Sequence, residues 1–550
     1  MSTSTVTSDF APDVRLVSGE SIHVSFDCSV EFSMCAVLRG IAHELHLPVE
    51  CLSLVLDIGR VPSNWEDIHF HVSTVVISRE ILLMSFRDAL HISDGDTELF
   101  ACSVLELCEN RVSALPEGFG QLLALQRLEL GVNELSMLPD SFGKLVALES
   151  LDLAANRLET LPESFGGLLA LHTLGLNGNH LSMLPESFGQ LLALQTLDLG
   201  GNILSTLPEN FGKLQALQTL NLAGNGLSTL PESFGQLLAL QSLDVGRNGL
   251  ITLPESFGQL LALQSLDVGR NRLTTLPENF GELLALHTLT LAENQLSTLA
   301  ESFGQLLSLR TLHVCRNGLR MLPESFGDLR ALKTLNLAEN RLSLLPESFG
   351  QLVLLETLQL PGNGVSLLAD SFGQLRALQI LILGGNQVAM VPDCFGQLMS
   401  LQMLVLDRNQ ISGLPERFGR LVGLQILILS SNEVSMLPVS FGGLSALQTL
   451  RLDDNRLTTL PESFGQLRAL QTLYLHRNQL ITLPESFGEL SALRSLRLDG
   501  NWLHTLPESF CQLRALRSLD LCDNQKSKLP ASLARRVALE RLEIRWCRDD

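Results

Sequence analysis

The sequence predicts an α/β solenoid, in which every repeat adds a strand to one parallel β-sheet, preceded by a small α+β domain. The first observation is a period, since Asn recurs nineteen times at intervals of 23 residues, from Asn110 to Asn524, without an insertion or deletion. The second is that residues 230–248 recur letter for letter at 253–271. A fixed period of this length is typical of a solenoid, because a single repeat cannot bury its own apolar face and must stack on its neighbours. The first hundred residues lack the period, which indicates a separate domain.

Each repeat follows the pattern L-x-x-L-x-L-x-x-N-x-L-x-x-L-P-x-x-F-G-x-L-x-x. In the repeat at 125–147, Leu128 and Leu130 alternate with Arg127 and Glu129, as expected of a strand with one buried face. The Asn column predicts a ladder of hydrogen bonds to the backbone of adjacent turns, because a buried amide must be paired. We expect Pro to fix φ where the chain leaves the strand, Phe to lie in the core, and Gly after Phe to permit a tight convex turn.

Residues 13–79 show the order of hairpin, helix, strand, short turn and closing strand. From alternating or helically spaced apolar residues, the hairpin is predicted at 13–24, the helix at 33–47 and the later strands at 52–56 and 72–78. This order resembles a ubiquitin-like β-grasp domain, which implies either a docking role or a purely structural one. The end of the domain lacks the Gly-Gly of a conjugated modifier.

The flanking segments complete the predicted domain organisation. Residues 1–12 are predicted to be a disordered tail. Residues 80–97 are predicted to be a linker helix that caps the first repeat, since the end of a solenoid has a face with no neighbour. The repeats occupy 98–550. In the final repeat Arg536 replaces Leu and Leu533 replaces Phe, so this end either caps itself with its arginines or docks on a partner.

Composition excludes several classes of function. The formal net charge of −21 argues against nucleic acid as a general partner, and no apolar run is long enough to form a transmembrane segment. The ten cysteines are scattered, the chain has no Asn-x-Ser/Thr sequon, and its start lacks the features of a signal peptide. We therefore expect an intracellular, cytoplasmic protein.

The sequence contains no motif for catalysis or for a cofactor. It has no phosphate loop, dinucleotide fingerprint, kinase signature or nucleophile elbow. Two histidine pairs, His43 with His46 and His69 with His71, offer too few converging ligands for a metal. We therefore expect a protein that is not an enzyme and that holds no cofactor and no metal.

Function is expected where the outward strand positions vary, since all repeats have the same length. Three adjacent repeats carry large apolar residues at two outward positions, and the next three carry Arg, Tyr and Arg. An apolar patch of roughly a few hundred Å² marks an interaction site, and Arg and Tyr are favoured interface anchors; unselected drift of these repeats is the alternative. The predicted protein-binding residues are the apolar patch, Ile380, Ile382, Met403, Val405, Ile426 and Ile428, and the Arg–Tyr–Arg column, Arg451, Tyr474 and Arg497.

A second candidate surface is a row of carboxylates at one outward strand position. This acidic column consists of Glu106, Glu129, Asp152, Asp198, Asp244 and Asp267. A row of like charges favours a basic partner or segment, and the association should weaken as the salt concentration rises.

The repeat pattern over 98–550, about 19–20 units, resembles the 23-residue intracellular class of leucine-rich repeats found in plant Ras-group proteins and animal Ras-pathway scaffolds. Phe-Gly stands here where many members have Ile-Gly. The resemblance implies a leucine-rich-repeat horseshoe with the parallel sheet on its concave face. It also implies a non-enzymatic scaffold in signal transduction, with small GTPases or phosphatase subunits as partners in some relatives. The alternative is an adaptor in ubiquitin-linked protein turnover, in which the β-grasp domain docks and the repeats select a client.

Overall fold

The computed structural model describes residues 103–524, together with six short strands outside that range. The chain divides into two compact units, Met1–Leu263 and Gln264–Asp550. Within 103–524, each unit is a stack of 23-residue repeats, and each repeat contributes a strand of three residues to a parallel sheet. The predicted repeat solenoid is therefore confirmed over this part of the chain.

The short strands before residue 103 form two antiparallel pairs and one parallel pair. Strand β1 (Asp13–Arg15) pairs with β2 (Ser21–His23), and β3 (Glu31–Ser33) pairs with β4 (His69–His71). Strand β5 (Thr74–Val76) pairs in parallel with the first repeat strand. The remainder of the proposed β-grasp domain, the tail, the linker helix and most of the final repeat lie outside the described residues, so those assignments stay predictions.

In the first unit the repeat strands pair in parallel and in register, so that residues 23 apart in sequence are direct neighbours. The strands are β6 (Val104–Glu106), β7 (Arg127–Glu129), β8 (Ser150–Asp152), β9 (Thr173–Gly175), β10 (Thr196–Asp198), β11 (Thr219–Asn221) and β12 (Ser242–Asp244). The middle residue of each strand is a buried Leu, and the two flanking side chains lie on the outward face.

The second unit repeats this register. Its strands are β13 (Ser265–Asp267), β14 (Thr288–Thr290), β15 (Thr311–His313), β16 (Thr334–Asn336), β17 (Thr357–Gln359), β18 (Ile380–Ile382), β19 (Met403–Val405), β20 (Ile426–Ile428), β21 (Thr449–Arg451), β22 (Thr472–Tyr474), β23 (Ser495–Arg497), β24 (Ser518–Asp520) and β25 (Glu543–Arg545). Every side chain of the apolar patch and the Arg–Tyr–Arg column therefore lies in this unit.

The Asn column forms the predicted ladder. The amide nitrogen of Asn179 donates to the carbonyl oxygens of Leu153 at 2.9 Å and Leu176 at 3.0 Å. Its amide oxygen accepts from the backbone N–H of Leu158 at 3.0 Å. Asn179 is 3% exposed, so these three bonds satisfy buried backbone groups of its own repeat and the preceding one. Loss of a single such partner costs about 1–3 kcal/mol.

The residue immediately before each ladder Asn has a left-handed backbone. In the nineteen repeats that the structure describes, its φ lies between 51° and 68°. Gly fills the position in six of them, and Asp, Glu, Arg, Ser, Ala or Val in the others. Left-handed φ is costly for L residues, and most costly for β-branched ones such as Val132. The turn that leads into the Asn is thus imposed by the stack rather than by local preference.

The side opposite the sheet consists of five-residue 3-10 helices rather than α-helices, which corrects the predicted α/β class. Each begins directly after the residue of the Pro column, whose φ of about −65° suits an extended N-cap. Ala300 and Ala369, which replace Pro in two repeats, adopt a similar φ. The helices are Glu117–Gln121, Asp140–Lys144, Glu163–Gly167, Glu186–Gln190, Glu209–Lys213, Glu232–Gln236 and Glu255–Gln259 in the first unit, and Glu278–Glu282, Glu301–Gln305, Glu324–Asp328, Glu347–Gln351, Asp370–Gln374, Asp393–Gln397, Glu416–Arg420, Val439–Gly443, Glu462–Gln466, Glu485–Glu489 and Glu508–Gln512 in the second. In the described part of the chain, no helix has the length and apolar character needed to cross a membrane.

The phenylalanines that follow these Pro residues form a buried stack behind each sheet, as predicted. In the first unit, successive rings from Phe119 to Phe257 are nearly parallel, with centroids 6.0–6.2 Å apart. In the second unit, the spacing is 5.5–6.4 Å. Paired strands lie only about 4.8 Å apart. Within each unit the sheet is therefore the inner side of the curve, and its outward side chains line a concave surface.

Gly follows Phe in every described 3-10 helix except Glu508–Gln512, where Cys511 takes its place, and close packing rather than a special φ requires this Gly. A Cβ added at Gly465 would overlap the carbonyl oxygen of Ser486 in the next repeat, and the other Phe-Gly positions are similarly crowded. At these crowded glycines, hydrogen is the only substituent that fits between successive 3-10 helices. This differs from the sequence expectation, in which Gly served to make the turn bend.

Separate substitution of two glycines in the second unit tests whether close packing requires Gly after Phe. Gly465→Ala should destabilise the protein by about 3 kcal/mol, because the added methyl group meets fixed backbone. Gly413→Ala is the matched control, since its Cβ would meet no atom within 4 Å; we expect a change of less than about 1 kcal/mol, in the stabilising direction. The measurement is urea unfolding followed by circular dichroism. Equal effects of the two changes would show that packing does not select Gly.

Candidate protein-binding surface

The structure brings the six side chains of the apolar patch together. Ile380, Met403 and Ile426 are register partners on β18, β19 and β20, and Ile382, Val405 and Ile428 form a second row beside them. All six are half-buried, whereas the Leu between them on each strand is fully buried. The patch is thus a two-by-three array of aliphatic side chains on the concave face of the second unit.

Polar side chains border this array on its long sides. Gln379, Gln402 and Gln425 are exposed just before the strands, and Asp407 and Ser430 follow the strands of their repeats. An apolar centre with a polar rim is the usual anatomy of a protein interface. The array therefore has both the composition and the surroundings expected of a binding surface.

The Arg–Tyr–Arg column continues this surface. Arg451, Tyr474 and Arg497 are register partners on β21, β22 and β23. The guanidinium carbons of Arg451 and Arg497 lie 5.4 and 6.0 Å from the centre of the Tyr474 ring, within the range of cation–π attraction. The tyrosine ring is therefore held between two guanidinium groups, which reduces the freedom that it would lose on binding a partner.

Both arginines are already paired with a carboxylate of their own repeat. Arg451 donates from Nε and Nη2 to the two oxygens of Asp453 at 3.2 and 3.3 Å. Arg497 donates in the same way to Asp499, at 3.1 Å for each bond. From the sequence, these arginines are predicted to be charged anchors for a partner. In the structure they are parts of neutral pairs with fixed geometry, because a bidentate pair satisfies charge and direction together.

Asp453 is the most enclosed acid of this surface, with only 5% of its side chain exposed. Burial alone would raise the pKa of the Asp453 carboxyl, but hydrogen bonds from Arg451 and Ser430, together with the nearby positive charge, outweigh burial and lower the pKa. Ser430 Oγ lies 2.8 Å from the carboxylate oxygen Oδ1. The Asp453 hydrogen bond in turn raises the pKa of Arg451.

A second acid and a histidine lie beside the Arg451–Asp453 pair. The ligand-type atoms of Asp453, Asp454 and His476 are all within 4.8 Å of one another. His476 follows Tyr474 on the outward face, and the two rings meet edge to face at 6.1 Å. Sequence inspection missed this group because its members come from repeats 23 residues apart. The sequence did contain a signal, in the column two residues after the last residue of each strand. Asp453 and His476 stand there, where most earlier repeats have Gly or Ala.

The four aspartates of the acidic column have a structural role that the sequence did not reveal. Each accepts a hydrogen bond from the backbone N–H two residues ahead, which forms a tight Asx-type turn at the end of the strand. The bonds are Asp152 with Ala154 at 2.8 Å, Asp198 with Gly200 at 2.9 Å and Asp244 with Gly246 at 2.8 Å in the first unit, and Asp267 with Gly269 at 2.7 Å in the second. Asn221 makes the same bond to Ala223 at 2.9 Å, so the turn does not require a charge.

The carboxylates of the first unit nevertheless keep their charge available. Among the described residues, none of the five acids of the column in this unit forms an ion pair, in contrast to Asp453 and Asp499. The position two residues after each carboxylate is small, for example Gly131, Ala154 and Gly200. A Cβ at Gly131 would approach Asp152 Oδ2 to 2.8 Å. The small residue therefore leaves room for the carboxylate of the next repeat.

More exposed apolar side chains lie outside the predicted patch. In the second unit, four consecutive repeats place a large apolar residue two positions before the Pro column, where nine of the eighteen described repeats have Thr. These residues are Met321, Leu344, Leu367 and Met390, with 53–69% exposure. Sequence reasoning considered only the outward strand positions and missed this row.

Two cysteines at outward positions are poor nucleophiles. Burial raises the pKa of the Cys108 and Cys315 thiols, and it outweighs the opposing effect of backbone hydrogen bonds. Since the thiolate is the reactive form, neither site is activated for covalent chemistry.

Comparison with known families identifies the repeats. A sequence model for leucine-rich repeat regions matches residues 189–271, 211–321, 315–410 and 396–479. Other leucine-rich repeat models match 103–158 and 124–181, and 469–490 and 492–513. The chain belongs to the leucine-rich-repeat family. No curated protein sequence matches it significantly.

Solved leucine-rich-repeat structures resemble this protein over most of its length. A leucine-rich-repeat protein of Leptospira interrogans is 34% identical, with a TM-score of 0.59, over 77% of this chain and 96% of that one. The plant peptide hormone receptor RGFR1, solved in complex with RGF2, is 28% identical with a TM-score of 0.66 over 82% and 78% of the two chains. YopM from Yersinia enterocolitica is 27% identical with a TM-score of 0.58 over 82% and 87%.

The Arg451–Asp453 pair predicts a pH-dependent contribution to stability. Because the folded-state pKa of Asp453 is below its ordinary value of about 3.9, the pair stabilises the fold above about pH 4 and loses that effect as the pH falls through the folded-state pKa. Arg451→Met should therefore cost about 2 kcal/mol at neutral pH, and the cost should shrink in acid.

Chemical unfolding of this leucine-rich-repeat protein at several pH values measures the effect. Arg456→Met is the matched control, since Arg456 forms an exposed pair with Glu433 at 3.1 Å; its cost should be below about 1 kcal/mol at every pH. A cost for Arg451→Met that stays constant down to pH values well below the pKa of a free aspartate would refute the assignment.

Proposed function

We propose that this leucine-rich-repeat protein is a non-enzymatic, intracellular scaffold for protein–protein interaction in signalling. The observation that carries the proposal is the apolar patch on β18, β19 and β20. Six aliphatic side chains stand in register where the preceding strand β17 carries Thr357 and Gln359. Leucine-rich repeats generally serve as interaction surfaces, and a half-exposed aliphatic array with a polar rim gives this chain a defined place for a partner.

The partner class follows from the neighbouring Arg–Tyr–Arg column. Tyr474 is supported on both sides, and each arginine is neutralised by an aspartate of its own repeat. This surface favours a protein segment with aliphatic or aromatic side chains over a strongly charged one. A small GTPase or a phosphatase subunit is the partner class that family resemblance suggests, and RGFR1 with its bound RGF2 is a relative whose ligand is a peptide hormone.

Location inside the cell is part of the proposal and rests on the sequence. The cysteines are scattered rather than arranged in paired end clusters, and Asn-x-Ser/Thr sequons are missing from an Asn-rich chain. Both features favour a reducing compartment.

Arginine substitutions at the centre of the apolar patch test the proposal. Ile382→Arg and Ile428→Arg should each reduce partner recovery at least about tenfold, because a charge replaces the desolvated centre of an interface. Thr290→Arg on β14 is the matched control, since it changes the same outward position outside the patch. The measurement is quantitative affinity capture from cell extract with each variant, with folding checked by circular dichroism. If the partners are retained by both Ile variants and the fold is intact, the patch is not the binding surface.

The acidic column of the first unit is proposed as a second contact area, for a basic segment of the partner. Asp198→Asn together with Asp244→Asn removes two charges but keeps the hydrogen bond to the backbone, as Asn221 shows. With a lysine-rich peptide as probe, the double variant should bind several-fold more weakly at low salt, and wild-type binding should weaken as salt rises. Glu209→Gln together with Glu232→Gln, on two 3-10 helices of the same unit, removes the same number of charges and controls for overall charge. Salt-insensitive binding, or equal losses in the variant and the control, would count against this surface.

A further inference from the structure

His476 has no hydrogen-bond partner for either ring nitrogen among the described residues. The residue is 9% exposed, and its Nδ1 is buried without a partner. Its Nε2 lies 3.8 Å from Asp453 Oδ2, beyond hydrogen-bond distance. Most buried polar side-chain atoms in proteins are paired. Nε2, the nitrogen that faces Asp453, has no hydrogen bond in the described part of the chain and is therefore available as a ligand atom.

The surroundings of this imidazole are those of a metal ligand. Asp453 and Asp454 place carboxylate oxygens so that all three candidate ligand atoms lie within 4.8 Å of one another. Two ligands of a tetrahedral ion at about 2.1 Å are separated by about 3.4 Å. The 3.8 Å between His476 Nε2 and Asp453 Oδ2 is close to that separation. We propose that Asp453, Asp454 and His476 bind a divalent transition-metal ion, with Zn²⁺ as the ion that the donor set fits best.

Neighbouring groups hold the three ligands in place. Ser430 Oγ donates to Asp453 Oδ1 at 2.8 Å, the kind of support that ligating carboxylates commonly have. The backbone N–H of Asp454 donates to the carbonyl oxygen of His476 at 3.0 Å, which ties the two repeats together at the site. Asp454 also has the left-handed φ of 53° that its position requires. The ligands are therefore carried by rigid turns rather than by a mobile loop.

The donor types select the class of ion. One imidazole and two carboxylates match the N and O ligands of zinc sites, with room for water in the remaining position. Mg²⁺ and Ca²⁺ prefer oxygen ligands alone and more of them. The site should therefore discriminate in favour of Zn²⁺ over Mg²⁺.

Two arginines compete with the ion. Arg451 occupies both oxygens of Asp453, and its positive charge opposes a second cation there. Arg477 forms a more exposed pair with Asp454, with 3.5 Å between Nη1 and Oδ1. With 40% of its side chain exposed, Arg451 can rotate into solvent when the ion binds. Removal of Arg451 should consequently strengthen metal binding, whereas an ordinary surface histidine with adventitious affinity would be indifferent to it.

The test is titration of the purified full-length chain with Zn²⁺ at neutral pH, by calorimetry or by competition with a chromophoric chelator. We expect one equivalent to depend on the site, with an affinity that falls at least about 100-fold in His476→Ala and at least about tenfold in Asp454→Asn. Asn tolerates the left-handed φ at 454, so this second variant keeps the fold. In Arg451→Met the affinity should rise about tenfold.

Two controls separate this site from other zinc-binding groups. His504→Ala changes an exposed histidine of another surface and should leave the titration unchanged, and Mg²⁺ should not compete. The proposal is overturned if wild type and Arg451→Met both fail to bind Zn²⁺, or if Asp454→Asn and His476→Ala bind as tightly as wild type. Because the readout is the bound ion and not a partner, the result is independent of the proposed scaffold function.

Discussion

The buried Asn ladder is the interaction on which the rest of the structure depends. Asn455 donates to the carbonyl oxygens of Leu429 and Leu452 at 2.8 and 3.1 Å and accepts from the N–H of Val434 at 3.0 Å. Three buried bonds would be lost together if a repeat changed in length. The ladder therefore fixes the period at 23 residues, and the period brings residues 23 apart into contact on the sheet. The outward surface of the sheet over residues 103–524 is composed in such columns.

The elements that could be predicted from the sequence are those in which the same residue type recurs at the same position of each repeat. The strands, the Leu and Phe core and the Asn ladder follow from single positions that recur in nearly every repeat, and the structure shows them as predicted. The 3-10 helices could not be distinguished from α-helices in this way, because only five residues separate the Pro from the Leu that ends the segment. The role of Gly465 was also misjudged, since it depends on Ser486 of the next repeat.

The candidate site was predictable in position but not in chemistry. The sequence located the apolar patch, because Ile, Met and Val replace polar residues in two outward columns. It could not show that Arg451 pairs with Asp453, because the two residues stand in different columns of one repeat. It also could not show that His476 lies beside them, because that contact joins neighbouring repeats. Such contacts depend on the direction in which each side chain points on the sheet. The spacing of residues along the sequence does not give that direction.

The residue two positions after the last residue of each strand determines whether the charge of that strand residue is neutralised within the repeat or stays available to a partner. In the second unit that residue is Asp after Arg451 and Arg497, so the positive charges are neutralised within their own repeats. In the first unit it is Gly or Ala after Asp152 and Asp198, so one carboxylate oxygen holds the turn while the charge itself remains unpaired. Long-range attraction and salt sensitivity should therefore belong to the first unit. Affinity at the apolar patch should depend on shape and apolar contact, because neutral ion pairs do little to attract a charged partner over a distance.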